Sequence, residues 1–281
     1  MPHATGRPLL VDVIVRTKDR PLFLARALRS IRAQTWGRVC VHIVNDGGAR
    51  DAAEIGKAEH GDALDIHVHH LAESVGPAET LNVGLRACQG DLMAIHDDDD
   101  SWHPYFLAAM VRRLETTSKL IPNVGGSACH LRRVFEHATP DGIVYSHTEG
   151  APPQSASRGI VNAAAFAART EDLFPIQVLL DRRAAQEVGG FDPIFLRCED
   201  REFLNRFLAR YEITILQREL AFHHTRMGGT SASFANSMAN MDLIETFVNL
   251  IDNRRMRSNI SVPARKPIDP SQNDLSGTGA A

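Results

Sequence analysis

In the first half of the chain, apolar runs alternate with amphipathic helical patterns, and several of the runs break off into polar clusters. Leu9 to Val15, Val39 to Val44 and Leu92 to His96 are almost wholly apolar, as strands buried on both faces are. Asp65 to Leu71 is a further strand, in which Ile66 and Val68 alternate with His67 and His69 to give one exposed face. Between the strands, Pro21 suits the first turn of a helix carrying Leu24, Leu28 and Ile31. Pro77 opens a second helix, with Leu81, Leu85 and Cys88 inward and Gly90 as its stop, and Pro104 opens a third through Leu107, Met110, Val111 and Leu114. Strand and helix in alternation, with short connections, fold into an open, mostly parallel α/β sheet.

Such a sheet binds its ligands outside the carboxyl ends of the strands. The polar clusters fall at those ends: Arg16-Thr17-Lys18-Asp19, Asn45-Asp46-Gly47-Gly48, and Asp97 to Asp100. Four consecutive carboxylates where a strand leaves the core are costly unless a cation or charged ligand neutralises them. Hard oxygen donors at this spacing suit Mg²⁺ or Mn²⁺. A solvated acidic turn is the competing interpretation, and the strand-end position favours the metal. In an extended segment, Asp97 and Asp99 point to one side and Asp98 and Asp100 to the other. Asp100 or Ser101 also suits the cap of the next helix.

The second half reads differently. Val124 to Val134 and Gly142 to His147 look like strands about a Pro140-Asp141-Gly142 turn, and Gly150 to Ser157 is a loop. Gly159 to Ala167 is expected as a strand, Asp181 to Val188 as a helix stopped by Gly189-Gly190, and Glu199 to Tyr211 as a helix with Phe203, Phe207 and Leu208 inward. Ile213 to Leu216 is a short strand, and His223-His224 precede a glycine-rich stretch through Ser231 expected to act as a mobile lid. The helix Met238 to Ile251 carries an apolar stripe that can pack on the core, join a homodimer or touch a membrane, with core packing the default. Residues 9–232 are expected as one domain, split into a nucleotide-binding half to residue 120 and an acceptor half from 121. A helical segment spans 233–262, and 263–281 reads as a disordered tail.

Composition narrows the partners. A net charge of -3 gives no reason to expect nucleic acid, and no apolar stretch is long enough to span a bilayer. Met1 to Pro8 lacks a signal-peptide core, and the scattered Cys40, Cys88, Cys129 and Cys198 read as reduced thiols, so a cytoplasmic protein is expected.

Five segments in order resemble family-two glycosyltransferases with the GT-A fold. Val13 to Pro21 resembles their opening strand and turn, and Val44-Asn45-Asp46-Gly47-Gly48 their nucleotide-binding strand end. Asn82-Val83-Gly84-Leu85 with Gly90-Asp91 resembles their helix before the metal strand, and His96 to Pro104, with Trp102, their Asp-x-Asp segment. Gly189-Gly190-Phe191-Asp192 followed by Glu199-Asp200 resembles their acceptor-side motif. The resemblance covers about Leu10 to Ser231. It implies a Rossmann-like sheet and inverting transfer of a sugar from a nucleotide diphosphate donor to an acceptor hydroxyl. Carried over, Arg16, Thr17, Asp19, Asn45, Asp46, Asn82, Asp97, Asp98 and Trp102 line the donor site. Asp99 is the foremost ligand of Mn²⁺ or Mg²⁺, with Asp97 and His223 or His224 completing the set. Asp200 is the catalytic base, with Glu199 beside it; apart from the resemblance, both acids merely complement a helix N-terminus. Arg16, Lys18 and Leu81 depart from the family pattern, where a proline, an aromatic and an arginine are frequent; Arg16, Lys18 or Arg86 can replace the lost phosphate contact.

Two other functions remain open at this point. A nucleotidyltransferase usually has a glycine-rich loop after its first strand, and Arg16 to Asp19 contains no glycine. A non-catalytic sugar-nucleotide-binding protein would not need both the aspartate cluster and Glu199-Asp200.

Overall fold

The computed structural model describes residues 7–50, 54, 63–139, 142–150, 159–227 and 241–258. The first half follows the expected alternation: β1 Val11–Thr17, α1 Pro21–Arg32, β2 Val39–Asn45, β3 Asp65–His70, α2 Pro77–Ala87, β4 Leu92–Ile95, the short β5 Ser101–Trp102 and α3 Phe106–Thr117. β1 pairs in parallel with β2 on one side and β4 on the other, and β3 extends β2 in parallel. Because successive side chains point to opposite faces, Val13 and Val15 join Leu24, Leu28, Phe106 and Met110 in one core, while Ile14 joins Leu81, Leu85, Phe203 and Phe207 in another. Each fully buried side chain of this kind contributes about 1.5–3 kcal/mol. With both faces covered, the strands read as unbroken apolar runs.

Two glycines fix how closely α2 approaches β1. A Cβ at Gly84 would lie 2.4 Å from Ile14 Cγ2. Gly90, expected as the helix stop, has another role: α2 ends at Ala87, and a Cβ at 90 would lie 2.8 Å from Asp12 Oδ2. The β3 face is also less open than its alternation implies. His67 is exposed, but His69 and His70 are half-buried, and His67 and His69 stack on His42 at 5.5 and 5.6 Å.

The second half departs further from expectation. β6 Val124–Thr139 and β7 Gly142–Gly150 are longer than their apolar segments. Gly159 to Ala167 is a strand only at β8 Gly159–Ile160; Asn162 then caps α4 Ala163–Ala167 by accepting from the Ala165 N–H, and an alanine run behind a good cap favours helix. β9 Val178–Asp181 was not anticipated, because three apolar residues running straight into α5 Arg182–Glu187 carry no period of their own. α5 does stop at Gly189 and Gly190, at φ 91° and 64°. α6 spans Glu199–Leu208, with Phe203 and Phe207 buried and Leu208 half-buried. β10 Glu212–Arg226 absorbs the expected short strand and both histidines of the expected lid.

The sheet order is β3-β2-β1-β4-β9-β6-β10-β5. β9 runs antiparallel to β4 and β6, and β6 and β10 are parallel to each other. The outcome is a large, mostly parallel sheet whose two halves meet at one reversed strand. α7 Met241–Ser258 sets Phe247 and Ile251 against Phe195, and Arg254 pairs with Asp192 at 2.5 Å, so its stripe packs on the second half. The glycine-rich stretch after Met227, the 151–158 loop and the tail from residue 259 lie outside the described residues. No helix among the described residues is long and apolar enough to cross a membrane.

Candidate active site

Parallel pairing brings three strand ends to one edge. Thr17 is in register with Asn45, and Ile14 with Ile95. The His96 N–H donates to Ile14 O at 2.9 Å, so the chain leaving β4 turns beside Arg16 and Thr17. The aspartate run is a turn, closed by Asp100 N–H to Asp97 O at 3.2 Å, and not an extended segment. Asp98 and Asp100 are buried, and Asp97 and Asp99 half-buried.

Each aspartate has its own partner. Asp97 Oδ1 accepts from Arg16 Nε at 2.7 Å. Asp98 accepts from Thr17 Oγ1 at 2.7 Å and Arg20 Nη1 at 3.2 Å. Asp99 Oδ2 accepts from Arg226 at 2.7 Å and Arg20 at 3.4 Å. Asp100 accepts the His224 backbone N–H at 2.9 Å and caps no helix. Burial and the Asp99 charge push Asp98 up to about 7 against the pull of Arg20 and Thr17. Burial also raises Asp99, but Arg226 and Arg20 outweigh it and hold that carboxyl below its ordinary value.

Arg16 reaches further. Its guanidinium also pairs with Glu199, the first residue of α6, so one arginine ties the aspartate turn to the second half. Burial would lower Arg16; Asp97 and Glu199 together raise it well above its usual value. Next to Glu199, Asp200 lies over an apolar recess lined by Ile95, Pro175, Leu180 and Phe203. It accepts one hydrogen bond there, from the Arg201 N–H at 2.7 Å. Burial, then the Glu199 charge, push Asp200 up to about 6.

The two histidines have different fates because neighbours on a strand face opposite ways. His224 donates from Nδ1 to Glu136 at 2.8 Å, and its Nε2 meets Ser101 Oγ at 2.8 Å, so both ring nitrogens are taken. His223 keeps a buried Nδ1 with no partner, with its ring 5.1 Å from Phe174. Burial lowers His223, opposed by the charges of Asp99 and Asp97.

The donor set fits a hard cation. Asp97 and Asp99 take their arginines on single oxygens, which leaves Asp97 Oδ2 and Asp99 Oδ1 outside the described hydrogen bonds, and the buried His223 Nδ1 also has no partner. These groups stand apart as placed. Among the described residues, the His/Cys/Asp/Glu triads with ligand atoms within 4.8 Å of one another are Asp12–His42–Cys88 and Cys40–Asp65–His67, both away from this edge.

Other predicted residues shape the site indirectly. Asp19, at φ 54°, accepts the Ala49 N–H at 2.7 Å, and Asn45 bonds Gly48 on both sides of its amide; together they hold the loop after β2. Asp46 holds Ser74 and the Val75 N–H at 2.7 Å each. Asn82 is turned inward, donating to Phe191 O and accepting from Phe191 N at 2.8 Å, so it locks α2 to the Gly189-Gly190-Phe191 turn. Trp102 is a core residue, stacked on Phe106 at 4.4 Å with its Nε1–H on Ile176 O at 2.6 Å, which leaves it no face toward a ligand. Arg86 pairs with Glu79 at 2.6 Å instead of facing the site.

Sequence reasoning missed Arg20, Arg26 and Glu136. Buried Glu136 on β6 holds both Arg26, at 2.7 Å, and His224, and Arg26 in turn donates to the backbone oxygen of Asp99. Glu136 and Arg226 are partners only through the β6–β10 register. Their spacing in sequence gives no hint of it.

A doubly wound α/β sheet with a charged ligand edge, and an acidic pair delivered to it by a second half, defines the class of protein. Residues 12–148 match the family model of glycosyl transferase family 2. An uncharacterized glycosyltransferase of Nostoc sp. is 27% identical over 107 residues, 38% of this chain and 33% of that one. The matched stretch spans about a third of the length of the curated relatives. The S. aureus TarS 1–349 structure in complex with UDP-GlcNAc superposes with a TM-score of 0.61 at 16% identity, covering 86% of this chain and 66% of that one. The mannosyltransferase PcManGT from Pyrobaculum calidifontis, in complex with GDP-Man and Mn²⁺, superposes with a TM-score of 0.63 at 16% identity, covering 94% and 68%. Residues 12–148 thus resemble family 2 of the glycosyl transferases, and the chain has the GT-A fold.

Proposed function

We propose that the chain transfers a sugar from a nucleoside diphosphate donor to an acceptor hydroxyl, with inversion and with Asp200 as the base. The observation that carries the reading is Asp200 itself, a carboxyl pushed to about 6 at the edge where Arg16 joins Glu199 to the aspartate turn. A base is most effective when its pKa lies near the working pH. The acceptor oxygen attacks the anomeric carbon from the side opposite the diphosphate. Its bond to the sugar forms as the sugar–phosphate oxygen bond breaks, and its proton passes to Asp200. Thr17, Asp19, Asn45 and Asp46 shape the pocket for base and ribose. Arg16, Arg20 and Arg226 already stand at the aspartates and provide positive charge for the departing diphosphate. Asp99, with Asp97 and His223, would hold Mn²⁺ or Mg²⁺, whose charge stabilises that leaving group.

The TarS and PcManGT complexes support a nucleotide-sugar donor, and the second supports Mn²⁺. A cytoplasmic site of action agrees with four free cysteines. The test is turnover of UDP- and GDP-sugars with Mn²⁺. Asp200→Asn should lower kcat by about 10²- to 10⁴-fold and leave donor KM nearly unchanged. The wild-type rate should climb as pH rises through about 6, where Asp200 loses its proton. Full turnover in Asp200→Asn, with loss in Glu199→Gln, would move the base to the neighbouring residue.

A further inference from the structure

We propose that Asp12, His42 and Cys88, with Cys40 as fourth donor, form a structural zinc site at the amino-terminal edge of the sheet. The site is at the opposite end of β1 from Thr17, five residues away and therefore roughly 16 Å along the strand. Ligand atoms of Asp12, His42 and Cys88 lie within 4.8 Å of one another, and all three residues are buried. His42 Nε2 is 3.1 Å from Asp12 Oδ1, and Cys40 Sγ is 3.6 Å from the same nitrogen. Two thiols, an imidazole and a carboxylate are the donor types zinc takes, and four is the number a closed structural site uses.

The surroundings are built as those of a metal site are. The other nitrogen of His42 meets His69 Nε2 at 3.3 Å, and the other oxygen of Asp12 accepts the Gly90 N–H at 2.5 Å, so both side chains are oriented from behind. Asp12 is 1% exposed between Val11 and Val13, and among the described residues neither Lys nor Arg pairs with it. A buried carboxylate without a cation is costly. The second triad, Cys40–Asp65–His67, shares Cys40's neighbourhood and has Asp65 and His67 exposed. Thiolate ligation would displace the thiol protons of Cys40 and Cys88 on entry.

Cobalt is the direct probe. The full chain is reduced with a non-chelating phosphine, loaded with Co²⁺ and desalted. The site predicts one retained equivalent, with a thiolate-to-cobalt charge-transfer band and strong visible bands of tetrahedral cobalt, all displaced by one equivalent of Zn²⁺. Cys88→Ser and His42→Ala should lose these bands, and Asp99→Asn should keep them, which separates this site from the carboxyl edge. Should the core variants fail to fold, thiol titration of the wild type decides: Zn²⁺ should protect Cys40 and Cys88 from modification. Absent charge-transfer bands, bands that survive Cys88→Ser, or thiols equally reactive with and without Zn²⁺ would each overturn the proposal, leaving the four groups as a hydrogen-bonded core network.

Discussion

The two ends of β1 solve the same problem in different ways. At the carboxyl end, acids outnumber what a folded edge needs, and arginines from β1, the turn before α1 and β10 hold them: Arg16 on Asp97 and Glu199, Arg20 on Asp98 and Asp99, Arg226 on Asp99. At the amino end, one buried acid, Asp12, stands among imidazole and thiol, and among the described residues no arginine pairs with it. Hard oxygen with mobile positive charge suits an ion and a phosphate that come and go. Soft and borderline donors, oriented from behind, suit something that stays. The comparison shows that one strand can carry a working edge and a fixed edge when its ends receive different donor chemistry.

The largest stability effect should come from the buried support of the working edge. Glu136→Gln leaves Arg26 and His224 without their shared carboxylate, and breaking such a buried pair costs about 3–5 kcal/mol. Urea unfolding measures it, and a loss below 1 kcal/mol would show that the network does not hold the aspartate turn. Next is Asp200. Its folded pKa, about 6, stands above that of an unfolded aspartate, so the native state binds the proton more tightly. Stability contributed by that protonated carboxyl is present at acid pH and is lost as pH rises to about 6. Asp200→Asn removes the ionisation and should therefore stabilise the protein by about 2–3 kcal/mol at pH 7–8 and by little near pH 4. Thermal melts at both pH values check it, and equal shifts would remove the assignment. The smallest effect belongs to the exposed Arg7–Asp91 pair near the amino edge, at 3.2 Å. Arg7→Ala should change stability by less than about 1 kcal/mol, and salt should shrink even that.

What could be read in the sequence follows the same division. The carboxyl edge was legible because its residues arrive as contiguous clusters at the ends of apolar runs, and because parallel pairing gathers strand ends whatever the details. The exchange between His223 and His224 was not, since only the face of β10 decides which ring meets Glu136. Trp102 and Asn82 fell inside recognisable segments, yet packing turned both inward. The amino edge was illegible for a simpler reason. Asp12, Cys40, His42 and Cys88 stand in three separate stretches as single polar letters, and only the register of β1 with β2 and the end of α2 assembles them. β9 escaped because a short apolar run beside a helix looks like part of it.

The central claim is that the carboxyl edge binds a nucleoside diphosphate and a divalent cation together. Calorimetric titration of UDP and of GDP into the full chain, with Mn²⁺ and with chelator, tests it most directly. The account predicts binding of at least one of them that requires Mn²⁺, is lost in Asp99→Ala and is kept in Asp200→Asn. Equal affinity with and without the metal, or in Asp99→Ala, would contradict it.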